Sequence, residues 1–367
     1  MNVTKAWAAQ LNDYVIDLAW SPDGRWLASA SAAGPITLFD GLTGAKLREL
    51  SGHADGTNCL AFAPDLTGVA TSAPSSAADA APASVSPATL LATGGQDGKV
   101  RLWDPGTGQQ AAETDIGRGA WVEHLEWRPM VAGRKSQLPD SRMLAAAAGR
   151  NLVLVRADGS LGHTFPPASK TLSALAWHPQ GGAVAVACFG RVSLWDTDDF
   201  HVQRDYPYGS LVAALVWSPD GRWLVAGAQD NAVHLWIPEE DQEFHMSGYE
   251  TKVRELSFSP DSRWLATGGA RDACVWDCSG AGPEGREPIA LPHSDRVCAV
   301  AYQHSHELLA TAANDGEVAF WRFADHETRL ATAKLTAPAS KLAWSPDDTR
   351  LAIGSQKGGV LVLKVDA

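Results

Sequence analysis

Long apolar runs are missing from this chain of 367 residues. No stretch of about 18 consecutive apolar residues occurs, so the sequence predicts no membrane-spanning segment. The first twenty residues, MNVTKAWAAQLNDYVIDLAW, are interrupted by Lys, Gln, Asn and Asp. Because a secretory signal peptide needs an unbroken apolar core, we expect neither export nor a membrane partner.

Cysteines and basic residues are also scarce. The chain has five cysteines, an odd number, which argues against a disulfide framework and favours a cytoplasmic location. Lys and Arg number 30 against 42 Asp and Glu, so the net charge is −12. Surfaces that bind nucleic acid need clustered basic residues to replace counterions. We therefore expect no nucleic-acid partner, although a local basic patch is compatible with this composition.

A sustained helical period is absent, and the chain instead repeats itself. Eight copies of one motif begin about forty residues apart in most cases. They are LAWSPD at Leu18, LAFAPD at Leu60, LEWRPM at Leu125, LAWHPQ at Leu175, LVWSPD at Leu215, LSFSPD at Leu256, VAYQHS at Val300 and LAWSPD at Leu342. Each copy continues with a short apolar run and an alternating run such as KVRLWD. Short runs of this composition, separated by Asp-Gly turns, are typical of antiparallel hairpins.

The chain resembles the WD-repeat β-propeller family over nearly its whole length. The SPDG turns, the Asp-Gly…Leu-Trp-Asp segments and Gly52–His53 carry this resemblance. It implies an all-β fold, a closed β-propeller of four-stranded antiparallel blades. We expect one propeller domain over residues 1–367, with loop insertions near 66–88, 128–142 and 278–288. The second insertion could dock an acidic partner through its basic residues Arg128, Arg134, Lys135 and Arg142, although a solvated loop is the simpler interpretation.

The family resemblance also implies a hydrogen-bond network within a blade. It joins a His before the inner strand, a Ser or Thr on the second strand, an Asp in the next turn and the Trp of the third strand. Two copies match in full, with His53, Thr93, Asp97 and Trp103, and with His293, Thr311, Asp315 and Trp321. Asp230 and Trp236 match in part. Tyr208 and Tyr249 occupy the His position and are expected to fill it structurally, whereas the first, fourth and eighth copies, with Phe39, Trp195 and Leu363 at the Trp position, must depend on apolar packing.

The eighth copy ends after three strands, so the number of blades depends on whether another segment supplies its fourth strand. The unassigned segment Val3–Gln10 can supply the missing outer strand, so the N-terminal strand closes a ring of eight blades. Closure hides sheet edges that would otherwise aggregate. The alternative is a ring of seven blades, in which the third copy is not a blade.

Candidate binding residues lie on one face of the predicted ring. The loops that lead into the inner strands and those that join second to third strands share this face, which we call the upper face. Large aromatic residues and arginines often anchor protein interfaces. The candidate partner-binding residues are Tyr14, Trp121, Glu123, Phe189, Lys252, Arg254, Arg271 and Arg296.

Signals for catalysis are weak. The chain contains no phosphate-binding loop in a strand-to-helix context and no serine nucleophile elbow. The SPD motif places a Ser beside an Asp, but it recurs at Ser21, Ser218, Ser259 and Ser345, as expected of a turn. A weak candidate metal group is formed by His304, His306 and His326. No catalytic residue and no cofactor are predicted.

Two functions remain open on the sequence. The first is a non-enzymatic scaffold or adaptor, monomeric by itself, that binds a protein or peptide on the upper face, as WD-repeat proteins typically do. The second is an accessory protein that handles a metal or small ligand, or a propeller enzyme that uses the central channel.

Overall fold

The computed structural model describes residues 1–65, 89–131, 142–322 and 328–366. These residues form 32 β-strands in eight four-stranded antiparallel sheets, and the described part of the chain contains no helix. None of the described residues therefore belongs to a helix that could cross a membrane. The prediction of eight blades is confirmed, and the seven-blade alternative is wrong because the third copy forms a complete sheet.

The first four blades follow the order of the sequence copies. Blade 1 contains β2 (Val15–Trp20), β3 (Trp26–Ser31), β4 (Ile36–Asp40) and β5 (Lys46–Leu50). Blade 2 contains β6 (Thr57–Phe62), β7 (Leu91–Gly95), β8 (Lys99–Trp103) and β9 (Gln110–Asp115). Blade 3 contains β10 (Val122–Trp127), β11 (Met143–Ala148), β12 (Asn151–Arg156) and β13 (Leu161–Thr164). Blade 4 contains β14 (Leu172–Trp177), β15 (Ala183–Cys188), β16 (Gly190–Asp196) and β17 (Val202–Tyr208).

The remaining blades continue in the same way until the chain closes on itself. Blade 5 contains β18 (Val212–Trp217), β19 (Leu224–Ala228), β20 (Val233–Ile237) and β21 (Gln242–Met246). Blade 6 contains β22 (Leu256–Phe258), β23 (Trp264–Thr267), β24 (Ala273–Asp277) and β25 (Ile289–Leu291). Blade 7 contains β26 (Val297–Tyr302), β27 (Leu309–Ala313), β28 (Glu317–Arg322) and β29 (Thr328–Lys334). Blade 8 contains β30 (Ala339–Trp344), β31 (Arg350–Ser355), β32 (Gly359–Asp366) and, as its outer strand, β1 (Asn2–Gln10).

The N-terminal strand closes the ring as predicted. β1 pairs antiparallel with β32, for example Lys5 with Leu363, and completes the last sheet. Trp7 on β1 is buried, donates its indole N–H to the Gly41 carbonyl at 3.2 Å and packs on Phe39 of blade 1. One strand therefore joins the last blade to the first.

Inner-strand tryptophans join neighbouring blades. Each donates its indole N–H to a carbonyl on the inner strand of the preceding blade, at 2.9–3.3 Å. The pairs are Trp20 with Ala343, Trp127 with Ala61, Trp177 with Glu126, Trp217 with Ala176, and Trp344 with Ala301. These side chains are buried, as the sequence predicts for blade core, and they also carry polar contacts between sheets.

The loop insertions differ in what the structure describes. Residues 66–88 lie outside the described residues, as do residues 132–141 of the second insertion. Arg142 is fully buried, and Arg128 donates from Nε to the Gly181 carbonyl at 2.7 Å, so these two side chains have structural roles. Arg134 and Lys135 of the predicted docking patch lie outside the described residues. The third insertion, 278–288, packs against Trp223. The backbone at Gly282 lies so close to that ring that an added Cβ would be 2.6 Å from it.

Candidate partner-binding surface

The predicted hydrogen-bond network forms in blade 2. His53 places Nε2 2.9 Å from Thr93 Oγ1 and Nδ1 2.8 Å from Asp97 Oδ1, and Trp103 donates its indole N–H to Thr93 Oγ1 at 2.9 Å. The imidazole is buried, and burial lowers the pKa of His53. The four residues therefore fill the space between the upper loop and the third strand of the blade.

Blade 7 differs from the prediction at one position. His293 Nε2 lies 2.7 Å from Thr311 Oγ1, and Trp321 donates to Thr311, but His293 Nδ1 contacts Glu317 at 3.1 Å instead of Asp315. Asp315 accepts the Ser294 hydroxyl at 2.5 Å, and this bond, a backbone N–H and Lys334 lower its pKa to about 2. Because Ser294 and Lys334 hold Asp315 outward, Glu317 takes its place beside the imidazole.

The two tyrosines fill the His position, as expected. Tyr249 places its hydroxyl 3.0 Å from Thr267 Oγ1 and accepts the Trp276 indole N–H at 2.8 Å. Tyr208 donates to Asp230 at 2.7 Å, but Trp236 is buried with no partner for its indole nitrogen among the described residues.

A β-bulge shapes the upper end of the inner strands. The register shifts at the same place in seven of them, for example between Val15 and Asp17 and between Val122 and His124. The residue inside the bulge turns its side chain toward the next blade, as Asn58 and Ser173 show by donating to the Val122 and Val212 carbonyls. The upper mouth of the channel is therefore lined by alternate residues of many strands.

Four of the predicted residues line one cavity at this mouth. The cavity has a volume of about 440 Å³, and we call it the upper cavity. Its lining includes Tyr14, Lys252, Arg254 and Arg296 from the predicted set, together with Glu255, Asn314, Lys341 and Gln356. Blades 1, 6, 7 and 8 all contribute, so residues far apart in sequence meet because the ring closes.

Positive charge dominates the wall of the upper cavity. Lys252, Arg254 and Arg296 are exposed, and within the described ranges no carboxylate forms an ion pair with their side chains. The Glu255 carboxylate accepts the Arg254 backbone N–H at 3.2 Å, and burial raises its pKa. Burial raises the pKa of Tyr14, which keeps its hydroxyl as a neutral donor. The cavity thus offers unpaired cations beside one half-exposed aromatic ring.

The other predicted residues do not line this cavity. Trp121 and Phe189 are 51% and 54% exposed on the upper face, and Glu123 is exposed near Trp121. Arg271 donates from Nε to the His293 carbonyl at 3.1 Å, which gives it a structural contact. The upper face therefore carries a cationic cavity and, separately, two exposed aromatic side chains.

Charged residues within the channel were not singled out from the sequence. Lys341 and Asp17 form an ion pair at 2.9 Å, and Asp17 raises the pKa of Lys341. Burial raises the pKa of Glu126 to about 7 and lowers that of His124 to about 4. The sequence could have indicated these residues. A charged residue next to the apolar motif of an inner strand can face only the channel or the neighbouring blade.

The predicted histidine group is only partly described. His304 places Nδ1 2.9 Å from Asp348 Oδ1, His306 is exposed, and His326 lies outside the described residues. Over the described ranges, the single group with three ligand atoms close together is Asp196, Asp199 and His201, and Asp196 there accepts backbone N–H groups in a turn. The recurring Ser21 is buried and accepts the Trp26 N–H at 2.9 Å, so its hydroxyl serves a turn.

Sequence comparisons find two matching family models. The model described as WD domain, G-beta repeat matches residues 83–104, 204–236 and 241–277. The model of the anaphase-promoting complex subunit 4 WD40 domain matches residues 1–65 and 300–367. Together the two models cover both ends of the chain and leave residues 105–203 unmatched.

Curated relatives share low sequence identity with this chain. Telomerase protein component 1 of Mus musculus is 23% identical over 358 residues, which are 95% of this chain and 10% of that protein. The WD repeat-containing protein slp1 of Schizosaccharomyces pombe is 22% identical over 85% of this chain and 50% of its own length. Cell division cycle 20.4, cofactor of APC complex, of Arabidopsis thaliana is 24% identical over 64% of this chain and 49% of its own length. The chain thus spans half or less of each of these relatives.

A similar solved structure agrees with the fold. The crystal structure of the computationally designed Ika8 protein superposes with a TM-score of 0.75 at 21% identity, covering 97% of this chain and 98% of that one. The repeated motif, the eight four-stranded sheets and the matching family models lead to one conclusion: the chain belongs to the WD-repeat β-propeller family.

Proposed function

We propose that this propeller is an interaction scaffold that binds an acidic segment of a partner protein at the upper cavity. The observation that carries the proposal is the set of three exposed cations, Lys252, Arg254 and Arg296, without ion-pair partners beside Tyr14. The chain as a whole has a net charge of −12, so these cations are a local exception. A carboxylate-rich peptide would supply the missing partners.

The chemistry of the channel supports a scaffold over an enzyme. Two of its carboxyl groups already have structural partners: Asp17 pairs with Lys341 and accepts the Leu60 N–H at 3.1 Å, and Glu126 accepts the Trp177 N–H at 3.0 Å. A catalytic pair would instead face a substrate position. The relative described as a cofactor of the APC complex, and slp1 with its WD repeats, are consistent with assembly through a propeller.

The test uses a short fluorescein-labelled peptide rich in Asp and Glu and its Asn/Gln counterpart. We expect the fluorescence anisotropy of the acidic peptide, but not that of its Asn/Gln counterpart, to rise when the protein is added. The triple variant K252Q/R254Q/R296Q should weaken binding about 10-fold or more, since several charge-assisted contacts are lost. Higher salt should weaken binding to the natural chain as well.

A control variant carries the same change in charge away from the cavity. K5Q/R204Q/K364Q removes three exposed cations on strands β1, β17 and β32 and should bind like the natural chain. Equal binding by both triple variants, or no preference for the acidic peptide, would show that the upper cavity does not bind acidic segments.

A further inference from the structure

Blade 4 lacks the side chains that fill a slot in blade 2. The slot lies between the upper loop and the third strand, and in blade 2 it holds His53, Thr93 and Asp97 above Trp103. Arg101 closes its outer side through the Gly52 carbonyl and Asp97. The strand registers align Thr93, Arg101 and Trp103 with Val186, Ser193 and Trp195 of blade 4. Counting from the strand ends aligns His53 with Ala168 and Asp97 with Gly190, in a turn that is one residue shorter in blade 4.

Every counterpart except the tryptophan is smaller or apolar. Ala168 stands at the His position, Val186 at the Thr position, Gly190 at the Asp position and Ser193 at the position of Arg101, while Trp195 is retained. A Cβ added at Gly190 would meet no atom within 4 Å, so the upper end of the slot is open. Blade 4 therefore has the same aromatic floor as blade 2 but lacks the side chains that cover it there.

Other blades without the full network fill this position with a large side chain. Tyr208 and Tyr249 fill it in blades 5 and 6, where their hydroxyls are hydrogen-bonded. Leu11 and Leu335 stand there in blades 1 and 8 and pack against the core. Blade 4, with Ala168, is different because it retains the tryptophan below an unfilled position.

The result is a cavity between blades 3 and 4. Its volume is about 210 Å³, larger than the roughly 150 Å³ of an engineered apolar cavity that binds benzene. Phe165, Leu172, Val186 and Trp195 form apolar walls, with the Phe165 and Trp195 ring centroids 5.1 Å apart. Trp195 is partly buried, and its indole N–H has no acceptor among the described residues. The slot is thus shaped for one aromatic ring and has a free donor at its floor.

Two arginines stand at the mouth of the slot. Arg150 donates from Nε to the Ala168 carbonyl at 2.5 Å, which leaves its terminal N–H groups without a partner in the described ranges. Arg191 is half-exposed and forms an ion pair at 3.4 Å with Asp205, which also lines the slot and accepts the Ser193 hydroxyl at 2.6 Å. Guanidinium groups bind carboxylates in two-pronged contacts, so the mouth favours a carboxylate next to the ring.

We propose that the slot between blades 3 and 4 receives one aromatic side chain of a partner protein, whose adjacent carboxylate is bound by Arg150 and Arg191. This inference rests on the proposed function, in that the occupant belongs to a protein partner, but it concerns a separate site. The slot holds the ring through apolar contact with Phe165 and Trp195, and the arginines select for the acid.

The test uses N-acetylphenylalanine as a probe, with its amide and N-acetylalanine as comparisons. Saturation-transfer NMR and calorimetry should detect binding of N-acetylphenylalanine with a Kd of about 1 mM, as expected for a ligand of this size. The amide should bind several-fold more weakly, and N-acetylalanine should not bind. Absence of binding by N-acetylphenylalanine at about 10 mM would overturn the proposal.

Two variants make the test specific to the slot. A168L places in blade 4 the leucine that this chain uses in blades 1 and 8 and should abolish binding, whereas A168S leaves the slot open and should not. R150Q/R191Q should reduce the preference for the acid over the amide, and it tests the site even if A168L fails to fold. Unchanged binding by folded A168L, or an unchanged preference in R150Q/R191Q, would also overturn the proposal.

The proposed function and the proposed aromatic slot can be refuted independently. Loss of acidic-peptide binding in K252Q/R254Q/R296Q concerns only the upper cavity, and that variant should still bind N-acetylphenylalanine. If the protein binds N-acetylphenylalanine but no acidic peptide, the proposed function is refuted and the proposal for the slot still stands.

Discussion

The third-strand tryptophans show how a single hydroxyl decides whether a buried donor is satisfied. Trp103 and Trp321 donate to a threonine at 2.9 and 2.8 Å, and Trp276 donates to Tyr249. Trp236 is 1% exposed and has no partner among the described residues, because Ala226 stands at the threonine position. A buried donor without an acceptor costs about 1–3 kcal/mol, so blade 5 carries a defect that its neighbours lack.

We expect the Ala226→Ser substitution to stabilise the protein. The new hydroxyl would stand where Thr93 and Thr311 accept the indole N–H, so the free energy of unfolding should rise by about 1 kcal/mol. Denaturant unfolding monitored by circular dichroism measures this change.

The matched control is Ala146→Ser in blade 3. Ala146 is fully buried at the same repeat position, but Val155 replaces the tryptophan there, so the hydroxyl would find no indole. This variant should be destabilised. A loss of stability in Ala226→Ser as large as that in Ala146→Ser would contradict the hydrogen-bond explanation.

Single residues set the limit of what the sequence could predict. The network of blade 2 followed from the family motif, because His53, Thr93, Asp97 and Trp103 all have the usual types and spacing. In blade 7, the contact of His293 with Glu317 instead of Asp315 could not be predicted, because it depends on the competing hydrogen bond from Ser294 to Asp315. When two side chains compete for one partner, only their three-dimensional positions decide which of them binds it.

Strands were predictable because the repeat fixes both their number and their order. The apolar motif locates the inner strands, and the unassigned Val3–Gln10 segment located the closing strand. The upper cavity was predicted only in part: Tyr14, Lys252, Arg254 and Arg296 meet there, but Lys341 and Glu255 were missed. Their direction depends on the bulge in each inner strand, which an alternating pattern does not reveal.

The closing strand β1 should contribute strongly to stability through Trp7. This side chain is 6% exposed and contacts both Phe39 and the Gly41 carbonyl, so Trp7→Ala should lower the free energy of unfolding by about 3–5 kcal/mol. Lys5→Ala on the same strand removes an exposed side chain and should change it by less than about 0.5 kcal/mol. If thermal and denaturant melting show similar small losses for both variants, β1 is not part of the cooperative fold.

At the scale of the whole ring, the central channel gathers groups that the blades contribute one at a time. Asp17 and Lys341 pair across the seam between blades 1 and 8, and His124 and Glu126 lie on the inner strand of blade 3. Burial raises the pKa of Glu126 from 4.5 to about 7. The folded protein therefore holds a proton at Glu126 between about pH 4.5 and pH 7 that the unfolded chain releases.

This raised pKa makes stability depend on pH. As pH rises through this range, the folded state must give up the proton at a cost, so the contribution of Glu126 to the free energy of unfolding decreases. Glu126→Gln keeps an oxygen for the Trp177 N–H and removes the ionisation. At pH 8 we expect this variant to be more stable than the natural chain by about 3 kcal/mol, and at pH 5 the two should differ by less than about 1 kcal/mol.

The exposed neighbour Glu123 provides the control. Glu123→Gln should follow the pH dependence of the natural chain in thermal melting from pH 5 to pH 8. A stability difference between Glu126→Gln and the natural chain that does not change with pH would argue against a buried, protonated Glu126.

The pairing of β1 with β32 has a consequence for biosynthesis. Lys5 emerges from the ribosome long before its partner Leu363, so blades 1 to 7 can assemble while the N-terminal strand waits unpaired. Until β32 has emerged, the pairing edge of β1 stays open to chaperones or to a second nascent chain. A polysome that carries several such chains would be the place where two rings exchange their first strands.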